Sequence, residues 1–337
     1  MAGITYDRKR VSEISRAYDY YIDRLFDRYI DNMVMYSFAM GGFVPSIPDD
    51  LMKQFHRELL DYITSGIKNE WDAASIKNEQ IAFNYIKNLT KVEMNEKGLK
   101  MFEKLRDKLQ DRNTKALNAF INRKKYGKTL SNRVWNLTKA FKRDTEVAMR
   151  DIMELGITSG TSASELATEL KKYLKEPNKL YRRVRKEGRL TLSKQAKAYH
   201  PGMGVYRSSY KNALRLTRTE INQAYRFADY NKIQDMDFVV GIEIIRSSNP
   251  YDCDICESLK GKYPKDFLFV GHHPQCRCIV KTITATNDEF LEVWNKRMNG
   301  VDAPMKSKNE VTKIPKAYKE YAKKYQNKIK SIKKMAN

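Results

Sequence analysis

The chain has few cysteines, a deficit of acidic charge and no long apolar run, and each scarcity narrows what it can be. No stretch of its 337 residues approaches the roughly 18 consecutive apolar residues expected of a membrane-spanning helix, so no membrane span is expected. No apolar signal segment opens the sequence, which reads as synthesis in a reducing compartment. Cysteine occurs four times, and all four fall within 26 residues. A chain of this length with 41% apolar residues can bury a substantial core without disulfide staples. Acidic residues number 41 against 64 Lys and Arg, a net charge of +23. A field of that sign concentrates polyanions, so nucleic acid, anionic membrane surfaces or acidic proteins are the favoured partners; a heavily solvated surface is the plainer alternative. No Gly-rich nucleotide loop, nucleophile elbow or paired-carboxylate signal occurs, and the chain reads as a non-enzyme.

What is there is concentrated near residue 260. Cys253-Asp-Ile-Cys256 is followed by Cys276-Arg277-Cys278, with His272-His273-Pro274 just ahead of the second pair. Two thiolate pairs brought together across a short excursion supply four soft ligands, the arrangement structural zinc prefers. The expected ligands are Cys253, Cys256, Cys276 and Cys278, with His273 in reserve. Disulfides and buried free thiols are the other readings of the same residues. Cys-x-Cys is a tighter bite than Cys-x-x-Cys and no His-x3-His follows, so this is not a standard finger.

Along the chain, apolar residues recur at helical spacing from Val11 to Val34 and again from Leu51 to Ile63 behind Asp49-Asp50. Further helices are expected over 81–89, 99–109 and 116–123. The stripe through Val134, Leu137, Phe141, Ala148, Ile152 and Leu155 is expected to stop at Gly156 as a left-handed C-cap. Ser162 and Glu165 have capping-box spacing ahead of Leu166, Leu170 and Leu174, and Pro177 ends that helix. The stretch 181–194 is basic with little apolar periodicity and reads as an exposed arm or loop. A helix over about 208–234 carries Arg218-Thr219-Glu220. Arg218 and Asn222 share a face and are expected to pin this helix to the sheet that follows, while Glu220 projects elsewhere. Phe238–Ile245 and Cys278–Thr284 read as strands. The fold class is therefore α+β, mostly helical, with a small antiparallel sheet carrying the cysteine cluster.

Three segments together carry a more specific signal: Asp252-Cys253-Asp254-Ile255-Cys256, Leu259-Lys260-Gly261, and His273-Pro274-Gln275-Cys276-Arg277-Cys278. They resemble the closing signature of the phage Mu F-like head-morphogenesis (minor head) proteins. Leu216 to Tyr225 is similar to that family's Arg-Thr-Glu helix, and 152–174 to its helix, Gly-x-Ser turn and helix. The resemblance covers roughly residues 130–285, and a basic insertion around 175–204 departs from it. It marks Arg218, Thr219, Glu220, Gly261, Pro274 and Arg277 as structural motif residues. The resemblance places a head-morphogenesis domain over 129–285, preceded by a region over 1–128 that periodicity reads as all-helical and followed by a basic tail over 286–337.

The same resemblance implies a low-copy virion component of the phage head. Its partners would be portal, scaffold or capsid proteins and packaged double-stranded DNA, with the host cytoplasm as the place of assembly. A zinc-stapled nucleic-acid-binding protein or a metal-dependent nuclease is the alternative. The nuclease reading lacks a His general base and further metal ligands beyond the cysteine pairs. In the tail, Lys316, Lys319, Lys323, Lys324 and Lys328 interleave with Tyr318, Tyr321 and Tyr325 at helical spacing. A short basic helix beyond Pro315, contacting nucleic acid, is expected there.

Overall fold

The computed structural model describes residues 2–40, 46–87, 95–159, 162–176, 183–186, 189–192, 206, 208–247 and 253–324. Helices dominate: α1 (Ala2–Ala39), α2 (Asp49–Lys87), α3 (Glu96–Gln110), α4 (Thr114–Asn122), α5 (Leu130–Ser159) and α6 (Ala163–Lys175) precede a hairpin of β1 (Arg183–Lys186) and β2 (Arg189–Leu192). Then come α7 (Ser209–Gln234), β3 (Val239–Ile245), α8 (Asp254–Ser258), β4 (Gly261–Tyr263), β5 (Ile279–Thr284), α9 (Asn287–Met298) and α10 (Lys316–Lys324). The protein is α+β and mostly helical, with a small antiparallel sheet beside the cysteines, as expected. No described helix is long and apolar enough to cross a membrane.

The chain divides into two compact units: residues 1–13, 64–126 and 219–337 form one, and 14–63 and 127–218 the other. A break falls at 126/127, close to the boundary expected at 128, but none falls near 285, and residues 1–128 are divided between the two units. The reason is helix length: α1, α2 and α7 each supply residues to both units.

In the second unit the α1 stripe buries Ile22, Leu25, Phe26, Tyr29 and Ile30 almost completely. Phe26, Phe55 and Phe141 pack with ring centroids 4.5–5.1 Å apart, within the range of favourable aromatic contact. Four aspartates spaced four apart on α1 face cations of the same unit. Asp19 meets Arg218, Asp23 and Asp27 share Lys175, and Asp31 meets Lys171. The expected capping box of α6 is present, Ser162 and Glu165 each satisfying the other's backbone N–H.

Three local expectations are corrected. Residues 81–87 are not a separate helix but the end of α2, whose inward stripe continues through Ile67, Trp71, Ala74, Ser75, Asn78 and Ala82, all nearly inaccessible. Small and polar residues on that stripe hide its periodicity. Gly156 lies inside α5, which runs on to Ser159; one helical glycine costs only about 1 kcal/mol. The basic stretch 181–194 contains the β1–β2 hairpin, with Arg183 opposite Leu192 and Lys186 opposite Arg189; the rest of it, like Pro177, lies outside the described residues.

The first unit holds the three-stranded sheet, ordered β4-β3-β5 and antiparallel throughout. Ile242 sits opposite Tyr263 and Thr282, and Ile244 opposite Gly261 and Val280. Ile242, Ile244 and Tyr263 are buried in a core shared with Phe238, Phe269, Phe290 and Trp294. The strand β4 and the helix α9 were not anticipated. For α9 a signal existed: Thr286 and Glu289 form a second capping box, followed by Phe290, Val293 and Trp294 at helical spacing. The segment 286–337 is accordingly no solvated tail over its described part. Its residue Val311 donates its N–H to the Val240 carbonyl at 3.1 Å.

Candidate metal centre

The two cysteine pairs are delivered by different local structures. Cys253 precedes α8 and Cys256 lies in its first turn, so the i, i+3 spacing puts both thiols on one side of the helix. The second pair follows a tight turn in which Cys276 N–H donates to the His273 carbonyl at 3.1 Å. Gln275 takes the left-handed conformation there, with φ 61°. Gly271, at φ +104°, leads into this loop, and a Cβ on it would stand 2.6 Å from Nη1 of Arg226 and 3.1 Å from Cys276 Cβ. Only glycine allows that approach. Gly261 adopts φ +143° as the first residue of β4.

All four cysteines are free thiols, so the disulfide reading is set aside. They do not form one cluster of four. Two donor groups overlap: Cys253, Cys256 and His273 in one, Cys256, Cys276 and Cys278 in the other, the donor atoms of each lying within 4.8 Å of one another. Cys256 belongs to both. His273, expected only in reserve, is a full member: its Nε2 is 3.2 Å from Cys253 Sγ and 3.1 Å from Cys256 Sγ. Its Nδ1 lies 2.7 Å from the Pro274 carbonyl, an oxygen that can only accept. Nδ1 therefore carries the proton and Nε2 presents a lone pair, the way an outer hydrogen bond sets the tautomer of a metal-binding histidine. Cys256 Sγ stands 3.7 Å from Cys276 Sγ. A tetrahedron with metal–sulfur bonds of about 2.3 Å has sulfur–sulfur edges of about 3.8 Å. Donor type and spacing both fit a thiophilic metal ion.

The helix α7 holds this loop in place through one face. Gln275 N–H donates to Thr219 Oγ1 at 3.1 Å, and Asn222 Nδ2 donates to the Cys276 carbonyl at 3.0 Å. Arg226 Nη2 donates to the carbonyls of Cys276 and Cys278 at 3.0 and 2.7 Å. Residues 219, 222 and 226 follow i, i+3, i+7 spacing, which aligns them along one side of a helix. Arg226 was not anticipated, and it is 4% exposed, its guanidinium 4.7 Å from the Phe269 ring centroid. Hydrogen bonds from Cys256 and Cys278 hold the Cys276 thiol well below its ordinary range, and Arg226 adds to the effect. The opposite shift falls on Cys256, raised by its hydrogen bonds to Cys276 and Cys278 and then by burial. Burial also pushes His272 down to about 4, so it stands neutral beside the loop.

The remaining expected residues separate. Asn222 does pin α7 to the cysteine loop, whereas the described bond of Arg218 goes from its Nε to Asp19 at 2.9 Å. Glu220, 1% exposed, accepts from Arg123 at 2.6 Å and Lys125 at 3.3 Å. Pro274 contributes its carbonyl to His273, and Arg277 is half-buried between the buried Cys276 and Cys278. Lys316, Lys319, Lys323 and Lys324 are exposed on α10; Lys328 lies outside the described residues, as do Asp252 and Tyr325. Comparison with protein-family models, curated proteins and solved structures finds no match for this chain. The resemblance drawn above therefore rests on its motif residues alone.

Proposed function

We propose that this protein is a phage minor head protein of the Mu F-like type: a low-copy, non-enzymatic virion component at the portal, in contact with packaged double-stranded DNA. One observation carries the reading. The motif resemblance singles out two stretches far apart in sequence, and their residues meet: Thr219 and Asn222 bind the backbone of Gln275 and Cys276. The two stretches act as one structural unit, as parts of a single signature should.

The metal in this reading is zinc, chosen by sulfur and imidazole donors. Cys256 is common to both donor groups, with Cys253 and His273 completing one and Cys276 and Cys278 the other. A coordination shell filled by protein thiolates and imidazole is the structural rather than the catalytic arrangement. Thr219, Asn222 and Arg226 beside the loop are committed to its backbone, which favours assembly over chemistry. A net charge of +23 suits a protein retained beside DNA.

The test is mass spectrometry and electron microscopy of purified particles. A chain present in few copies at a single vertex is the expected result. Absence from intact particles overturns the reading, and metal-dependent nicking of plasmid DNA would favour a nuclease instead.

A further inference from the structure

Over its described residues, Lys316–Lys324, the helix α10 has no fully buried side chain. Two tyrosines make the contact. The Tyr318 ring stands edge-on to Phe267 at 4.8 Å and to Tyr263 at 5.7 Å, and lies 6.4 Å from His272. Tyr321 donates its hydroxyl to the His272 carbonyl at 2.7 Å. His272 is the residue before His273, whose imidazole meets Cys253 and Cys256. The floor under α10 is thus Tyr263 and Phe267 together with His272, the first of which belongs to β4 and the last to the loop that carries His273. That loop contains two residues at positive φ, Gly271 and Gln275, and a backbone of this kind needs outside contacts to persist. On the other side of α10, Lys316, Lys319 and Lys323 are exposed at i, i+3, i+7 spacing.

We propose that metal occupancy sets the docking of α10. With the ion bound, the 271–276 loop is fixed and α10 lies on it through Tyr318 and Tyr321, its lysines aligned outward as a row for phosphates. Without the ion the loop relaxes, Tyr321 loses its acceptor, and the basic segment leaves the surface. The inference rests on the reading of the Cys–His cluster as a metal centre.

Hydrogen exchange of the full chain, zinc-loaded and then stripped by a chelator, tests it, with metal content measured in both samples. Amides of 316–324 are expected to exchange at least about tenfold faster after stripping, while those of α9 keep their protection. Zinc bound and removed with no change in 316–324 overturns the coupling. Equal loss of protection in α9 overturns it as well, since the ion would then hold the whole unit. A chain that takes up no zinc overturns the metal reading itself, an outcome the metal measurement separates from the other two. In the loaded protein, Tyr321→Phe should speed exchange of 316–324 without lowering zinc content; unchanged exchange there rules out this hydrogen bond as the link.

Discussion

Arg226 donates from one guanidinium nitrogen to the backbone carbonyl of Cys276 at 3.0 Å, fifty residues further along the chain, and reaches the Cys278 carbonyl from the same nitrogen. The buried cation is held here by the carbonyl dipoles of the loop it organises. The arrangement ties the most buried part of α7 to the start of β5.

Replacing Arg226 by alanine leaves those two carbonyls without this donor in a buried setting. An unsatisfied buried polar group costs about 1–3 kcal/mol, so Arg226→Ala should lower stability by about 2–4 kcal/mol and reduce zinc retention. Denaturant unfolding with parallel elemental analysis checks both; a drop of less than about 1 kcal/mol would show that the loop is held by other interactions.

The overlap of the donor groups at Cys256 makes the cysteines unequal. Purified full chain should carry about one zinc, and Cys256→Ser should abolish binding because it removes a thiol common to both groups. Cys278→Ser should keep most of the metal. Equal loss in the two variants would place Cys278 among the ligands.

Glu289 closes the capping box of α9 and accepts from Ser307 Oγ and Lys308 N–H at 2.6 and 3.0 Å. The Ser307 hydroxyl first, and the Lys308 and Thr286 amides after it, hold its carboxyl down at about 2. A depressed folded-state pKa adds stability that is complete above the unfolded value near 4.5 and is lost as pH falls toward about 2. Glu289→Gln should therefore be less stable than the parent at neutral pH, with the difference shrinking through this window. Thermal unfolding at pH 7, 4 and 2.5 measures it, and a constant difference contradicts the assignment.

The buried pair Lys77 and Asp229, 3.0 Å apart with side chains 5% and 3% exposed, belongs to the same unit as the metal loop. Lys77→Met strands the Asp229 charge and leaves it the hydrogen bond from Asn78 at 2.6 Å. Breaking a buried pair in this way costs about 3–5 kcal/mol. Chemical denaturation is the measurement, and a neutral result would show that this pair contributes nothing to the stability of the unit.

Neutralising the outward row of α10 probes the proposed DNA contact without removing the docked tyrosines. Duplex affinity of the Lys316→Gln, Lys319→Gln, Lys323→Gln triple variant should fall, and its salt slope should flatten by about 2–3, close to one for each phosphate that is no longer neutralised. Identical slopes for variant and parent would remove α10 from the interface.

Much of this protein is determined by the sequence alone, because local periodicity reports which face of an element is buried. The stripe from Ile22 to Met33, the capping box at Ser162 and Glu165, the strands β3 and β5 and the concentration of donors between Cys253 and Cys278 are all legible that way. Tertiary structure decided what local pattern cannot encode. Asn78 and Ser75 are inaccessible because Asp229 and a helical carbonyl satisfy them, so a polar stripe continues α2 where hydropathy falters. His273 became a donor because a turn at Gln275 folds it back against α8. Arg226 became the keeper of the cysteine loop, and Tyr318 and Tyr321 found part of their floor on that loop, because pairings some 50 residues apart depend on how elements pack and leave no trace in spacing.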